Sequence, residues 1–345
     1  MLHRKNPSSA LRAPSPLSRG EKGLRCGSSE NILDITGRCT SDGDRCSCIK
    51  YALMIRRLAI ACLMLTGCTT APQLWLPGLV STANSEVRIA FSPDGTRMLW
   101  GCIGCPDGAG GWDILESVRE KNGSWGKPHH PSFDSAANDF DPFFAPDGSG
   151  VYFFSNRDGG LGKDDIYFAP FERERREYAP PINLGPNINS AGDEWAPSLS
   201  ADGQTLLFAT DGRGGAGKHD LFLAHREGNG WSIASNATEL NTAAEDFDAT
   251  FLSDGSIVLS SGDFEGRVAL YLVPWRDHRY GSRVELGDAV NAKGKDAWTF
   301  GPAVNPREPG VLYFTSHREP GAGRVDIYRI RLRVGQAPAP VPSKR

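Results

Sequence analysis

Short apolar runs separated by glycine-containing turns recur along most of this chain. Four turns carry an Asp-Gly pair, and a degenerate fifth occupies residues 305–310. The turns are Pro93-Asp94-Gly95, Pro146-Asp147-Gly148, Ala201-Asp202-Gly203, Ser253-Asp254-Gly255 and Asn305-Pro306-Arg307-Glu308-Pro309-Gly310. Their glycines are 53, 55, 52 and 55 residues apart. An Asp-Gly pair between apolar runs is a strong hairpin signal, so the pattern predicts one hairpin per unit.

Each unit contains enough β-prone runs for four strands. The run after each turn is rich in aromatic and aliphatic residues, and a third run with the form Asp-Ile-Tyr follows a glycine-rich loop. An aromatic residue marks an outer strand at Trp125, Tyr178, Trp231 and Tyr280. Four short strands per unit of about 50 residues are typical of a β-propeller blade. We therefore predict an all-β fold, a β-propeller of five blades with four antiparallel strands each.

The last unit lacks its outer strand, because the chain ends soon after its third strand. A β-prone segment, Gln73-Leu74-Trp75-Leu76-Pro77, precedes the first turn. This offset predicts that the N-terminal strand completes the last blade and protects two sheet edges. Six blades are the alternative, but a sixth would need a further unit that the chain does not supply.

These repeats resemble the WD40-like (PD40, TolB-type) propeller repeats. The resemblance is carried by the Pro-Asp-Gly turn, by strands that end in Ser155-Asn156-Arg157 or Ser316-His317-Arg318, and by the Asp-Ile-Tyr strand. It covers about residues 73–333 and implies the fold rather than an activity, since propellers host binders and enzymes alike. TolB has an additional N-terminal domain for which we expect no counterpart here, so the chain is not interpreted as TolB itself.

Residues 54–67 have the pattern of a secretory signal. Met54-Ile55-Arg56-Arg57 provides a basic start, and an apolar run follows that is about half the length needed to cross a bilayer. The run ends in Leu65-Thr66-Gly67-Cys68, which resembles the lipobox of bacterial lipoproteins. That resemblance implies lipidation of Cys68. Thr69 at the next position favours the periplasmic side of the outer membrane as the location of a lipid-anchored protein.

The ends of the chain differ in composition from the repeats. We expect residues 1–53 to be a non-native or disordered extension, 54–67 a signal peptide, 68–72 a tether, 73–333 the propeller and 334–345 a disordered tail. Cys26, Cys39, Cys46 and Cys48 lie in the extension, with spacings that match no paired zinc-binding pattern. Without the first 67 residues the chain has 27 basic and 36 acidic residues, a net charge of −9. Nucleic acid is therefore not expected as a partner.

One carboxylate lies eight residues before the Asp of each Asp-Gly turn, at the predicted start of each innermost strand. We assign this set as Glu86, Asp139, Glu194 and Asp246, with Asp296 in the degenerate copy. Five such groups would surround one mouth of the central channel. They would either bind a cation or a basic partner segment, or hold the blades together through hydrogen bonds and pairs with Arg157, Arg213 or Arg318. Repetition in every blade favours the structural alternative.

An aromatic side chain follows or accompanies most of these acids: Phe140, Trp195, Phe247 and Trp298. These rings would be wedges between blades or, as the alternative, a platform for a partner. Cys102 and Cys105 form a CxxC pair for which a local disulfide is expected in an oxidising compartment. No metal ligand set and no cofactor are expected from these patterns.

The function predicted from the sequence is non-catalytic. Acids that look equivalent in every blade do not provide the two different environments that an acid and a base require. We therefore predict a scaffold that binds an envelope protein or peptide and contacts the membrane through its lipid anchor alone. The alternative is a propeller-type glycosidase or polysaccharide lyase that uses Asp141, Asp248 or Glu194. Asp141 and Asp248 break the repeat symmetry, because we align them with Arg88, Ala196 and Trp298.

Overall fold

The regular structure of this protein consists of β-strands. The computed structural model describes residues 71–332, and every regular element in that range is a strand. The predictions for the extension (residues 1–53), the signal segment, Cys68 and the C-terminal tail concern residues outside the described range. No helix within it could span a membrane. Five antiparallel sheets of three to five strands follow one another in chain order, which confirms the five-bladed β-propeller. A sixth, two-stranded sheet is a hairpin within the chain segment of the fourth blade.

Each blade has three principal strands, and additional short strands lie at the outer edge of blades 2 to 5. Blade 1 has three strands rather than the predicted four, and the isolated bridges Glu116–His129 and Arg119–Trp125 occupy its outer edge. Blade 1 contains β2 (Ser85–Phe91), β3 (Arg97–Ile103) and β4 (Trp112–Val118); blade 2 contains β5 (Asp139–Phe144), β6 (Gly150–Ser155), β7 (Asp165–Glu172), β8 (Glu177–Tyr178) and β9 (Ile182–Asn183). Blade 3 contains β10 (Glu194–Leu199), β11 (Thr205–Thr210), β12 (Asp220–Glu227), β13 (Gly230–Trp231) and β14 (Ser235–Asn236). Blade 4 contains β15 (Glu245–Phe251), β16 (Ile257–Gly262), β17 (Val268–Val273), β18 (Trp275–Arg276), β19 (Arg279–Tyr280) and β20 (Val284–Glu285). Blade 5 contains β21 (Thr299–Val304), β22 (Val311–Ser316), β23 (Asp326–Arg331) and β1 (Gln73–Leu74).

The outer edge of a blade is divided between two short segments. In blades 2 and 3 the strand that carries Tyr178 or Trp231 pairs with the far end of the third strand, and a second two-residue strand pairs with its middle. In blade 4 the strand with Tyr280 pairs with β18, and β20 pairs with β17 instead. The aromatic residues therefore mark a hairpin beside the outer strand rather than the whole strand.

The ring is closed by the N-terminal strand. Gln73 pairs with Arg329 and Leu74 pairs with Tyr328, so β1 is the outer strand of blade 5. The amide of Trp75 continues this pairing by donating to the carbonyl of Ile327 at 2.8 Å. This confirms the closure predicted from the sequence offset.

The hydrophobic core lies between neighbouring blades. Tyr152 and Ile166 of blade 2, for example, pack in one buried cluster with Leu206 and Phe208 of blade 3. Because both faces of each sheet are covered, the strands are apolar almost throughout rather than alternating. Burial between blades thus makes every blade depend on its neighbours.

Each innermost strand contains a β-bulge at the same place. The residue there has a positive φ: +41° at Arg88, +51° at Asp141, +53° at Ala196, +40° at Asp248 and +58° at Gly301. The pairing of the inner strand with its neighbour shifts at this point in all five blades. A bulge redirects the side chain of the extra residue. The five bulges therefore direct the side chains of four residues toward the central channel, and the fifth position is a glycine.

Candidate functional site

One face of the propeller carries the predicted ring acids and the aromatic residues beside them. We call it the loop face, and define it by the loops before the inner strands and the loops that join the second to the third strand of each blade. These loops are residues 81–84, 134–138, 189–193, 241–244, 292–298, 104–111, 156–164, 211–219, 263–267 and 317–325. The Asp-Gly turns lie at the opposite ends of the same strands.

The four predicted ring acids of blades 1 to 4 are buried and used inside the fold. Glu86, Asp139, Glu194 and Asp246 are each 0% exposed. Each accepts hydrogen bonds from the backbone amide and the hydroxyl of a Ser or Thr four residues earlier. Each acid therefore holds the loop that precedes its inner strand. Like the N-cap residue of a helix, it does so with a side-chain oxygen that accepts from a backbone amide.

Further donors complete this bonding. Arg157 approaches Asp139 at 2.5 Å, Arg283 approaches Asp246 at 2.7 Å, and the Thr210 hydroxyl donates to Glu194 at 2.6 Å. The side chain of Glu86 has no such extra donor among the described residues, and burial raises its pKa to about 7. Burial also raises the pKa of Glu194. These contacts support the structural alternative for four of the five acids.

Asp296 does not occupy the fifth ring position. Its side chain is 70% exposed and its carboxylate lies 4.0 Å from Lys295. In the strand register, Thr299 opposes Ser316 as Asp139 opposes Ser155, so Thr299 holds the place of the acid. The Thr299 hydroxyl accepts a hydrogen bond from the amide of Ala292. The alignment that selected Asp296 was wrong by three residues.

The predicted aromatic residues are mainly wedges between blades. Phe140 and Phe247 are 4% and 3% exposed. Phe140 packs on Trp112 of the preceding blade with ring centroids 5.0 Å apart. Trp298 is 9% exposed and donates from its indole nitrogen to the carbonyl of Gly266 in blade 4.

Trp195 is the most accessible of these rings. It is partly exposed, and its indole nitrogen donates to Asp164 at 2.8 Å. Its ring stacks on the imidazole of His219, with centroids 3.9 Å apart and planes 21° apart. Burial raises the pKa of Asp164 to about 6, although the indole donor opposes this shift. Trp195 therefore lies in a polar cluster of the loop face rather than in an apolar platform.

The bulged positions form an asymmetric charged group in the channel. Nη1 of Arg88 lies 3.5 Å from Oδ1 of Asp248, and both side chains are nearly buried. Nη2 of Arg88 donates to the carbonyls of Pro197 and Ala249 in two other blades, at 3.0 and 3.3 Å. Oδ2 of Asp248 accepts from the amide of Gly301 at 3.2 Å. This pair ties four of the five blades together across the channel.

Asp141 is the remaining carboxylate of this group. It is 5% exposed, and its Oδ1 has no hydrogen-bond partner among the described residues. Burial, and then the nearby Asp248 carboxylate, raise its pKa well above the usual range of an aspartate. Burial also raises the pKa of Asp248, while Arg88 acts in the opposite direction. Asp141 and Asp248 thus have different environments, and the fifth matching position is Gly301 rather than Trp298.

The β-bulge that repeats in all five blades was not predicted from the sequence. A signal for it exists, because Pro142, Pro197 and Pro302 follow the bulged residue in three blades. Proline cannot donate to the ladder, and within sheets it is found at edges or bulges. These three prolines at equivalent places would have located the channel residues.

Two surface cavities of about 680 and 480 Å³ lie away from this charged group. Lys293, Lys295 and Asp296 line the larger one, and Pro146, Gln204 and Arg226 are among the residues that line the smaller one. Arg88, Asp141 and Asp248 line neither of them. Cys102 and Cys105 form a disulfide with Cα atoms 5.8 Å apart, at the start of the loop between β3 and β4.

Comparison with known proteins gives similarity at the level of the fold. The chain matches no protein-family model and no curated protein. A protein assigned as TolB from Agrobacterium tumefaciens shares 15% identity at a TM-score of 0.44, over 71% of this chain and 80% of that one. TolB from Acinetobacter baumannii shares 14% identity at a TM-score of 0.41, over 71% of this chain and 54% of that one. A thermostable family-43 glycoside hydrolase shares 9% identity at a TM-score of 0.47, over 78% and 99% of the two chains.

Proposed function

We propose that this protein is a non-catalytic, lipid-anchored propeller of the cell envelope that binds a protein or peptide through its loop face. The observation that carries this proposal is the arrangement of Arg88. Its guanidinium is paired with Asp248 and hydrogen-bonded to two carbonyls of other blades at the channel centre. A substrate would have to enter this buried group, in which Asp141 and Asp248 are each 5% exposed, to reach the channel carboxylates. A partner on the loop face would not.

The loop face offers side chains suited to a partner. Leu161 is 51% exposed in the loop between β6 and β7, and Lys163 of the same loop is 57% exposed. Trp195 lies nearby in the structure, because Lys163 pairs with Asp193 in the loop that precedes it. An apolar residue with aromatic and charged neighbours is typical of a protein interface.

Site-specific crosslinking tests the binding proposal. A photoreactive amino acid would replace Leu161 on the loop face or, as the matched control, the exposed Gln204 in a turn of the opposite face. The full chain would be illuminated in envelope preparations, and adducts would be identified by mass spectrometry. We expect one discrete adduct at position 161 that excess unlabelled protein suppresses. Absence of an adduct at 161, or the same adducts at both positions, would contradict a partner on the loop face.

The lipid anchor is tested separately. It depends on the resemblance of residues 65–68 to a lipobox. Metabolic labelling with an alkyne fatty acid is expected to mark the wild-type chain and not the Cys68→Ser variant. Fractionation should then place the wild type with outer membranes and release the variant. Equal labelling of the two chains would reject the anchor at Cys68.

A glycan-cleaving enzyme is the second candidate, and Asp141 is the observation that favours it. Oδ1 of its carboxyl lacks a partner among the described residues, whereas Oδ1 of Asp248 faces Arg88. Two carboxyls with different environments are what a glycosidase requires of its acid and base. Release of reducing ends from a panel of polysaccharides, lost in Asp141→Asn and retained in Asp202→Asn at an exposed turn, would establish this candidate. No release from any polysaccharide would remove it.

A further inference from the structure

Three potential ligand side chains of blade 3 meet on the loop face. Asp193 precedes β10, Asp211 follows β11, and His219 precedes β12. A carboxylate oxygen from each aspartate and a ring nitrogen of His219 all lie within 4.8 Å of one another. Two carboxylates and an imidazole form a donor set that divalent first-row transition metals accept.

His219 provides an independent indication of a ligand. The residue is 6% exposed, and its Nδ1 lies 2.7 Å from Oε1 of Glu245. Its Nε2 is buried without a hydrogen-bond partner among the described residues. A ring whose Nδ1–H donates to a carboxylate has its lone pair on Nε2, which is how metal-ligating histidines are usually oriented. The stacked ring of Trp195 holds the imidazole in this plane.

We propose that Asp193, Asp211 and Nε2 of His219 bind one divalent transition metal ion, for which Zn²⁺ is the probe, and that Glu245 positions the histidine. Tetrahedral Zn²⁺ places its ligand atoms about 3.3 Å apart. Since the ligand atoms lie within 4.8 Å of one another, the three side chains have to close around the ion by about 1.5 Å at most. The side chain of Asp211 is 31% exposed, and its Oδ1 accepts from the amide of Asp193 at 2.8 Å, so its Oδ2, which faces Lys163, is the oxygen offered to the ion.

Lys163 occupies the position of a cation in this cluster. Its ammonium nitrogen lies 2.8 Å from Oδ2 of Asp193 and 3.3 Å from Oδ2 of Asp211. The side chain is 57% exposed, so it can leave for solvent when an ion enters. Lysine and metal would compete for the same two carboxylates. Removal of Lys163 should accordingly strengthen metal binding, which a merely structural cluster would not do.

A similar group in blade 1 lacks this arrangement. Asp113, His130 and Asp134 also come within 4.8 Å of one another. Nδ1 of His130 is bonded to Oδ2 of Asp134, another member of the same group, and Oδ1 of Asp134 accepts from the amide of Ile114. Neither ring nitrogen of His130 is a buried atom without a partner among the described residues, in contrast to Nε2 of His219. His130→Gln is therefore a suitable negative control.

The experiment is a Zn²⁺ titration of the full chain by calorimetry, with free thiols alkylated in every variant. Asp211→Asn and His219→Gln are expected to weaken binding by roughly a hundredfold, and Glu245→Gln by roughly tenfold. Lys163→Met should tighten it, whereas Lys218→Met, at the matching place in blade 3, should not. Lys218 is 67% exposed and faces Asp263 instead. Circular dichroism would establish that each variant is folded. If His219→Gln does not fold, Asp211→Asn still tests the proposal, because Asp211 is exposed.

A second measurement, of tryptophan fluorescence, locates the bound ion. Cu²⁺ quenches nearby indole fluorescence, and Trp195 is stacked on the proposed ligand His219. Cu²⁺ should quench part of the emission of the wild type and much less in Trp195→Phe, which should still bind Zn²⁺. No Zn²⁺ binding below millimolar concentration, or binding that Asp211→Asn and Lys163→Met leave unchanged, would overturn the proposal.

Discussion

Arg88 of blade 1 and Asp248 of blade 4 form a buried ion pair across the channel of the propeller, with Nη1 3.5 Å from Oδ1. Blades 1 and 4 are not neighbours in the ring. The pair reaches across the channel because both residues lie at inner-strand bulges with positive φ. Hydrogen bonds to Pro197 and Gly301 extend it to blades 3 and 5.

Arg88→Met should destabilise the propeller by about 3–5 kcal/mol, because it leaves the Asp248 carboxylate buried without its partner. The double variant Arg88→Met with Asp248→Asn should recover part of this loss, since no unpaired charge remains. Urea unfolding measures the free energy in each case. Lys293→Met, which removes an exposed surface pair, is the control and should leave the free energy of unfolding nearly unchanged. A loss in Arg88→Met no larger than that of the control would refute a structural role for the pair.

Glu194→Gln should cost about 1–3 kcal/mol, because an amide nitrogen would then face groups that donate to the carboxylate. Those donors are the amide and hydroxyl of Ser190 and the hydroxyl of Thr210. Asp296→Asn should change the free energy of unfolding by less than about 0.5 kcal/mol, because its side chain is exposed. Thermal and urea unfolding of the two variants compare the buried Glu194 with the exposed Asp296, which the repeat alignment placed at the equivalent position. If both variants lost the same free energy of unfolding, Asp296 would have the same structural role as the four buried ring acids.

Stability should fall as pH rises from about 5 to about 7. Burial raises the pKa of Glu86 from 4.5 to about 7, so between these values the folded state holds a proton that the unfolded chain has lost. The free energy of unfolding then decreases with pH across this window and levels off above it. Asp94 and Asp202 have lowered pKa values, so their contribution is lost only in acid below this window.

Glu86→Gln is expected to reduce this pH dependence by about 2 kcal/mol between pH 5 and pH 8, because the amide cannot ionise. Urea unfolding at unit pH intervals measures the slope. Asp296→Asn again provides the control and should leave the slope unchanged. Burial raises the pKa values of Asp134 and Asp164 to about 6 as well, so the difference between the two profiles isolates Glu86. Equal slopes in the wild type and Glu86→Gln would show that Glu86 ionises normally.

The blade count and the closure of the ring could be predicted because they depend on local signals. Asp-Gly turns define hairpins, and their spacing defines the blades. The outer strand missing from blade 5 could be assigned to Gln73 and Leu74 because an open sheet edge is unfavourable. The roles of side chains were harder to predict, because a bulge breaks the two-residue alternation on which inward and outward assignments depend.

Asp296 and the blade 3 cluster illustrate this limit. The fifth turn is degenerate, so counting back from it selected Asp296 instead of Thr299. Asp193, Asp211 and His219 come from three separate segments, and no sequence spacing marks them as neighbours. Their proximity follows only from the pairing of β10, β11 and β12, which places the ends of these strands side by side.

Trp75 should matter more for stability than any other feature of the closing segment. Its ring packs edge-on against Tyr313 at 5.2 Å and lies under the guanidinium of Arg329 at 4.5 Å. Trp75→Ala removes these contacts where β1 joins blade 5, and should destabilise the protein by roughly 3 kcal/mol. Trp275→Ala removes a tryptophan that is 36% exposed on the two-stranded β18–β19 hairpin of blade 4, and should cost about 1 kcal/mol or less. Unfolding in urea compares the two, and a cost for Trp75→Ala as small as that of Trp275→Ala would mean that blade 5 remains closed without this ring.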